Sequence, residues 1–365
     1  SVRTRGRRWG MAAALTALAA LAACRPAEPP ADGARPRHLV LVTIDTLRAD
    51  KVGAYGYDAA RTPTIDALAA AGLRAERAFA AAPITLPSHA SLLTGRYPPA
   101  HGARHNGMAM ADDVPTLATA LQAAGFATGA FVAAFPLDRR FGLARGFDVY
   151  GDRLPRHADG RPADEREGQA VVDEALGWVR TVGDRRMFLW VHLFEPHAPY
   201  GRPGGGTSAA ARYDGEVAEA DRQVGRLLDG LGALRASTLV VVSADHGEAF
   251  GEHGEIGHSL FVYDTTLRVP LVLQGPGVRP GVVARDVSLV DVAPTTLGLL
   301  GVVVPAAIDG RAFAGPAAAA DTGADVPLYA ETVAPFEDFG WSPLRAVRAG
   351  GLKYIQAPTP ELFDL

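Results

Sequence analysis

Asp45, Thr85 and the pair Asp245-His246 are the residues of this chain best suited to chemistry. Asp45 ends the run His38-Leu39-Val40-Leu41-Val42-Thr43-Ile44, and Asp245 ends Ser237-Thr238-Leu239-Val240-Val241-Val242-Ser243-Ala244. A third apolar run, residues 188–194, breaks into Glu195-Pro196-His197. Two carboxylates and an imidazole offer hard oxygens and one borderline nitrogen. That set suits Ca²⁺, Mg²⁺, Mn²⁺ or Zn²⁺ without choosing among them. Thr85 precedes Pro87, which fits the first position of a helix running through 88–93 and stopping at Gly95. A hydroxyl there sits beside free backbone N–H groups and the positive end of a helix dipole, where anions bind. Next to a cation its pKa falls and its oxygen becomes a nucleophile. Each residue also has a plain structural role: strand-end aspartates shape turns, and a threonine in this place caps a helix.

Continuous runs of Val, Leu and Ile read as buried parallel strands. In open α/β sheets ligands gather at the carboxyl ends of such strands, so three distant segments deliver their polar residues to one edge. Helical patterns fall at 64–71, 116–124, 165–180, 211–231 and 289–300, with further strands at 127–132 and 267–273. The alternation predicts an α/β fold, a mostly parallel central sheet covered by helices on both faces. That unit occupies 38–320. Short strands at 326–331 and 344–355 then predict a small C-terminal antiparallel sheet within 321–365, leaving open whether the chain is a fragment. Loops 153–163 and 201–208 are the expected seats of specificity.

With 365 residues and 48% hydrophobic content the chain can bury a large core, and its mean hydropathy is +0.06. A net charge of −4 gives no general electrostatic footprint for nucleic acid. The first 23 residues read as a lipoprotein signal peptide: Arg3, Arg5, Arg7 and Arg8 precede an apolar stretch, 11–23, too short to span a bilayer. Leu21-Ala22-Ala23-Cys24 resembles a bacterial lipobox, and Cys24 is the sole cysteine. Its lipidation would anchor the domain through a Pro/Ala-rich tether, residues 24–37, and leave no thiol for disulfides or catalysis. Arg25 favours export to the outer membrane. The expectation is an exported lipoprotein on the periplasmic face or the outer membrane.

Several motifs stand in register: Asp45-Thr46-Leu47-Arg48-Ala49-Asp50, Thr62-Pro63-Thr64-Ile65-Asp66, Thr85-Leu86-Pro87-Ser88-His89 with Leu93-Thr94-Gly95, Pro196-His197-Ala198-Pro199, Asp245-His246-Gly247-Glu248 and Gly257-His258. In kind and order they resemble the sulfatase-like proteins of the alkaline phosphatase superfamily, over roughly residues 38–365. The resemblance implies an alkaline phosphatase-like fold and an ester hydrolase. It also implies one divalent metal on Asp45, Thr85, Asp245 and His246, with His197 and His258 facing the leaving group. Glu248 fits a supporting role better than a ligand's.

The departures carry as much chemistry. Sulfatases place Cys or Ser at the position of Thr85 and oxidise it to formylglycine, an aldehyde that threonine cannot form. His89 replaces an arginine, Thr46 a second aspartate, and His258 a lysine. A threonine nucleophile resembles instead the nucleotide pyrophosphatase/phosphodiesterases and lipid-headgroup phosphotransferases of the superfamily. Asn106 stands 21 residues after Thr85, the spacing of the oxyanion-holding asparagine in the phosphodiesterases. Two-metal members carry an aspartate where this chain has Leu193, which favours one metal. The sequence therefore predicts a Thr85-dependent hydrolase of sulfate or phosphate esters, with phosphoesters favoured on chemical grounds. Its partners are small-molecule, glycan or lipid esters, and a membrane through the anchor. The alternatives are a phospho-headgroup transferase of the superfamily and a non-catalytic glycan-binding surface protein.

Overall fold

A computed structural model describes residues 35–365 apart from 157–158, 160–162, 202–206, 317 and 319–325. The signal segment, Cys24 and most of the tether lie outside the described residues, as do parts of both specificity loops. Among the described residues the large sheet has nine strands. They are β1 (His38–Ile44), β2 (Leu73–Phe79), β3 (Ala127–Phe131), β4 (Val149–Gly151), β5 (Met187–Leu193), β6 (Thr238–Ala244), β9 (Arg268–Val269), β10 (Leu271–Gln274) and β11 (Gly281–Ser288). A two-stranded hairpin, β7 (Ala249–Phe250) with β8 (Ile256–Gly257), lies between β6 and β9 in sequence.

The order is β11-β2-β10-β6-β1-β5-β3-β4, with β9 paired to β2. Strands β4, β3, β5, β1 and β6 are parallel, while β10 runs antiparallel to both β6 and β2. The centre is rich in Val, Leu, Ile and aromatic residues because both faces are covered: every residue of β1, β5 and β6 is buried. Helices α1 (Pro63–Ala71), α5 (Gly168–Val182) and α6 (Ala209–Gly230) pack together on one side. On the other side are α2 (Thr85–Thr94), α3 (Pro98–His101), α4 (Leu117–Ala123) and α8 (Val292–Leu300). The short α7 (Asp264–Leu267) leads into β9.

The C-terminal sheet is antiparallel in the order β12 (Leu328–Thr332), β13 (Leu344–Ala349), β14 (Leu352–Gln356), β15 (Glu361–Asp364). Leu328, Ala330, Leu344, Ala346 and Ile355 join the main core. Arg348 pairs with Asp264 and Asp286, and Lys353 with Asp264. Residues 267–273 form two strands instead of one, because Pro270 lacks the N–H a continuous ladder needs. Residues 344–355 fold back as a hairpin at Gly350 and Gly351, both at positive φ.

Candidate active site

Strand register builds the site. Ile44 pairs with Leu193 on one side and Ala244 on the other. The next residues, Asp45, Phe194 and Asp245, therefore leave the sheet side by side, about 5 Å apart between neighbouring strands. The chain turns sharply at Thr46, whose φ of 54° is unusual for a β-branched residue. That turn brings the Thr46 N–H onto Asp245 Oδ1 at 3.2 Å, and the His246 N–H donates to the same oxygen at 2.8 Å. Gly247 follows because no side chain fits: a Cβ there would lie 2.2 Å from the Thr265 carbonyl oxygen.

Asp45, Asp245 and His246 are completely buried, and a ligand atom from each lies within 4.8 Å of the others. His246 Nε2 is 3.8 Å from Asp45 Oδ1, 3.4 Å from Asp245 Oδ2 and 3.4 Å from Thr85 Oγ1. Its Nδ1 donates to the Gly247 carbonyl at 3.0 Å, so the neutral ring turns the Nε2 lone pair toward the carboxylates. Burial, with His258 alongside, holds its pKa well below the usual histidine value. Both oxygens of Asp45 and Oδ2 of Asp245 are buried and accept no hydrogen bond. Three unpaired carboxylate oxygens around an imidazole lone pair are what a divalent cation would complete. The electrostatics agree. Burial and the charge of Asp45 push the Asp245 pKa well up. At Asp45 burial pulls the same way, but His192, His197 and His246 outweigh it and hold the group below the usual carboxylate range.

Thr85 is the first residue of α2, not a cap before it: the cap position is Ile84, which has no capping side chain. The helix thus starts two residues before Pro87, and it ends on schedule at Gly95, with φ 66°. The N-terminus is less open to anions than the sequence suggested. The Leu86 N–H donates to Asn106 Oδ1 at 3.0 Å, and Pro87 has no N–H. A backbone donor needs the amide oxygen, which leaves the Asn106 NH₂ as the group able to donate elsewhere. The geometry brings Asn106 next to Thr85.

His258 follows β8, and its ring lies 4.4 Å from that of His246 and 5.1 Å from that of His197. His258 Nδ1 donates to Glu248 Oε1 at 3.0 Å, and Tyr200 Oη donates to Glu248 Oε2 at 3.0 Å. Burial alone would lower the His258 pKa, but the Glu248 carboxylate outweighs it and raises it. Glu248 is thus a support, as expected. His197 stacks on Phe194 with ring centroids 4.2 Å apart. Glu195, beside it, accepts the Gly168 N–H at 2.7 Å and holds the start of α5. His101 and His253 stay out of the site: His101 is bound to Ser91, and His253 stacks on Tyr263.

Two histidines close the floor. His192, hidden inside an apolar run, was missed in the sequence because a single imidazole there reads as core. It accepts the Ala133 N–H on Nδ1 and turns Nε2 to within 3.3 Å of Asp45 Oδ2. The approach is off the line of a good hydrogen bond, so that oxygen stays available. His89 donates through Nδ1 to the Thr85 carbonyl at 2.8 Å and accepts the Thr43 hydroxyl on Nε2 at 2.9 Å. Trp190 donates to that hydroxyl in turn. Burial drives the His89 pKa to about 3, so the ring is neutral. At the position where the sulfatase resemblance implies an arginine, His89 is an uncharged brace fixing the first turn of α2.

A sequence model of the sulfatase family matches residues 37–302. The ulvan-active sulfatase of Formosa agariphila is 26% identical over 89% of this chain and 74% of its own length. Steryl-sulfatase of Mus musculus is 29% identical over 82% of this chain and 68% of its own. Among solved structures, the phosphonate monoester hydrolase of Agrobacterium radiobacter superposes with a TM-score of 0.76 at 22% identity, over 91% of this chain and 89% of that one. The family match runs through every strand end that builds the site, from β1 to β6 and on past His258. The chain therefore belongs to the sulfatase family of the alkaline phosphatase superfamily, and it is a hydrolase acting on ester bonds.

Proposed function

We propose that this protein hydrolyses sulfate or phosphate esters with Thr85 as nucleophile, phosphoesters being the better fit, and that it needs one divalent metal. The supporting observation is the Thr85 hydroxyl at the start of α2, 3.4 Å from His246 Nε2 and beside three unpaired carboxylate oxygens. Asp45, Asp245, His246 and Thr85 would hold the metal, whose charge favours the ionised hydroxyl and offsets the charge of the ester anion. The Asn106 amide binds one non-bridging oxygen, and His197 binds another. Thr85 Oγ, its proton released to solvent, attacks phosphorus in line. The bond from phosphorus to the alcohol oxygen breaks, and His258 gives that oxygen a proton. Glu248 stabilises the imidazolium that makes this donation. Water then attacks the phosphothreonine and gives a proton to the now neutral His258, the bond from phosphorus to Thr85 Oγ breaks, and that oxygen takes a proton from solvent as phosphate is released.

Breakdown of the covalent adduct is the step that favours phosphorus. A formylglycine adduct expels sulfate by breaking its own C–O bond, and a sulfated threonine has no such exit. The carbinol of threonine is secondary, so its oxidation gives a ketone and not the aldehyde. We also propose that Cys24 is lipidated and holds the domain on a membrane at the periplasmic face or outer membrane. Among the described residues no helix is long and apolar enough to cross a membrane. The test is parallel turnover of matched phosphate monoesters, diesters, phosphonate esters and aryl sulfates, with the metal identified by elemental analysis. Faster turnover of the sulfate ester would reverse the preference proposed for phosphorus.

A further inference from the structure

One residue of the C-terminal sheet, Glu331 in β12, ties together the segment that leads into Thr85 and the loop that carries Asn106. Its backbone N–H donates to the Ala81 carbonyl at 3.0 Å, four residues before Thr85. Its carboxylate accepts Arg104 Nε on Oε1 at 2.7 Å and Arg104 Nη2 on Oε2 at 2.8 Å. The Tyr329 hydroxyl donates to Oε2 at 2.6 Å. Arg104 stands two residues before Asn106. The Glu331 side chain is 1% exposed, whereas that of Arg104 is 34% exposed. A carboxylate so deeply buried is tolerated because these three hydrogen bonds replace its water.

The loop around Asn106 sets its own shape, and Glu331 sets its place. Gly102 and Gly107 bend the loop at positive φ, and within it the Met108 N–H donates to the His105 carbonyl at 3.0 Å. Asn106 Oδ1 takes the Leu86 N–H at 3.0 Å, which orients the amide against α2. The planar Arg104 fork on Glu331 then fixes the loop backbone from outside. An ion pair with one partner partly in solvent adds little net stability, so its main contribution is orientation. With Ala81 held by the N–H and Arg104 by the carboxylate, Glu331 governs the separation between the proposed nucleophile and the proposed oxyanion donor.

We propose that Glu331 is a positioning residue for ester hydrolysis, acting through Arg104 to place the Asn106 amide where the ester anion binds. This rests on the reading of Thr85 as nucleophile and of Asn106 as donor to a non-bridging oxygen. Such a donor works through fixed placement, because a displacement of about 1 Å costs on the order of 10²-fold in rate. Glu331 itself meets no reacting atom. Its effect on the reaction passes through Asn106 and disappears when the amide is removed.

The experiment is a double-mutant cycle of Glu331→Gln with Asn106→Ala, in the full chain with divalent metal supplied, on one slow phosphoester. Glu331→Gln should lower kcat about tenfold while Asn106 is intact and cause no further loss in the Asn106→Ala background. Arg104→Gln changes the partly exposed partner; it should give the same pattern, and it carries the test if Glu331→Gln does not fold. Losses that multiply between the two sites would mark a merely structural role and overturn the proposal. So would a Glu331→Gln or Arg104→Gln variant with wild-type kcat. Full turnover in Thr85→Ala, with the coupling between Glu331 and Asn106 intact, would sink the nucleophile reading alone. If the wild type is inert toward the ester, the same cycle is read in the affinity for inorganic phosphate by calorimetric titration. Coupling there would again sink the nucleophile reading alone, and its absence would sink both.

Discussion

Thr85→Ala removes the hydroxyl that faces His246 Nε2, and kcat should fall on the order of 10³-fold or more. Thr85→Ser keeps the oxygen and should keep much of the rate. Asp245→Asn replaces one of the unpaired buried oxygens with an amide. Elemental analysis of that variant should find little bound metal, and near-normal content would mean the ligands are misplaced. Glu248→Gln tests the leaving-group acid. Losing the carboxylate behind His258 should cost roughly 10- to 100-fold with a poor leaving group such as an alkyl alcohol, and far less with p-nitrophenol. Equal loss on both esters would point to a structural role. Asp45, Thr85, Asp245 and His246 were legible in the sequence because each stands where an apolar run or a loop yields to polar chemistry. His192 was not, since its partner Asp45 becomes adjacent only through strand register.

Elements with both faces buried were the easiest to read: β1, β5 and β6 are nearly unbroken apolar runs and form as expected. The strand β2, Leu-Arg-Ala-Glu-Arg-Ala-Phe, hides its nature behind three charges, because part of it meets solvent. The strand β11 opens with exposed residues and was missed for the same reason. The helix α3 ends at His101, whose buried ring takes the Ala103 N–H on Nδ1 and meets Ser91 Oγ at 2.9 Å. Burial lowers its pKa to about 3. A histidine depressed in the folded state contributes stability that is complete above its unfolded pKa of about 6.5 and is lost as pH falls toward 3. Unfolding free energy should thus drop by about 2 kcal/mol between pH 7 and pH 5 on account of this residue. Denaturant melts of His101→Gln should show a shallower dependence over that interval, and an unchanged slope would contradict the assignment.

On the scale of the molecule, the C-terminal sheet is latched to the main core through Arg348, which meets both Asp264 and Asp286. Arg348→Met takes one partner from each carboxylate but leaves Asp264 with Lys353 and Asp286 with Arg77, so the loss should be roughly 1 kcal/mol. Chemical denaturation would measure it, and the change should leave metal content unaltered. Cys24→Ala should move the protein out of the membrane fraction with turnover unchanged, because the proposed anchor precedes the folded residues. Retention on membranes without detergent would contradict lipidation at Cys24.

The central claim is that the covalent intermediate forms on Thr85. Acid quench during turnover of a slow phosphoester, followed by mass spectrometry of the peptide that contains residue 85, measures it directly. A phosphoryl adduct on Thr85, absent from Thr85→Ala, is the predicted result. An adduct on another residue, or full phosphoesterase activity in Thr85→Ala, would contradict it.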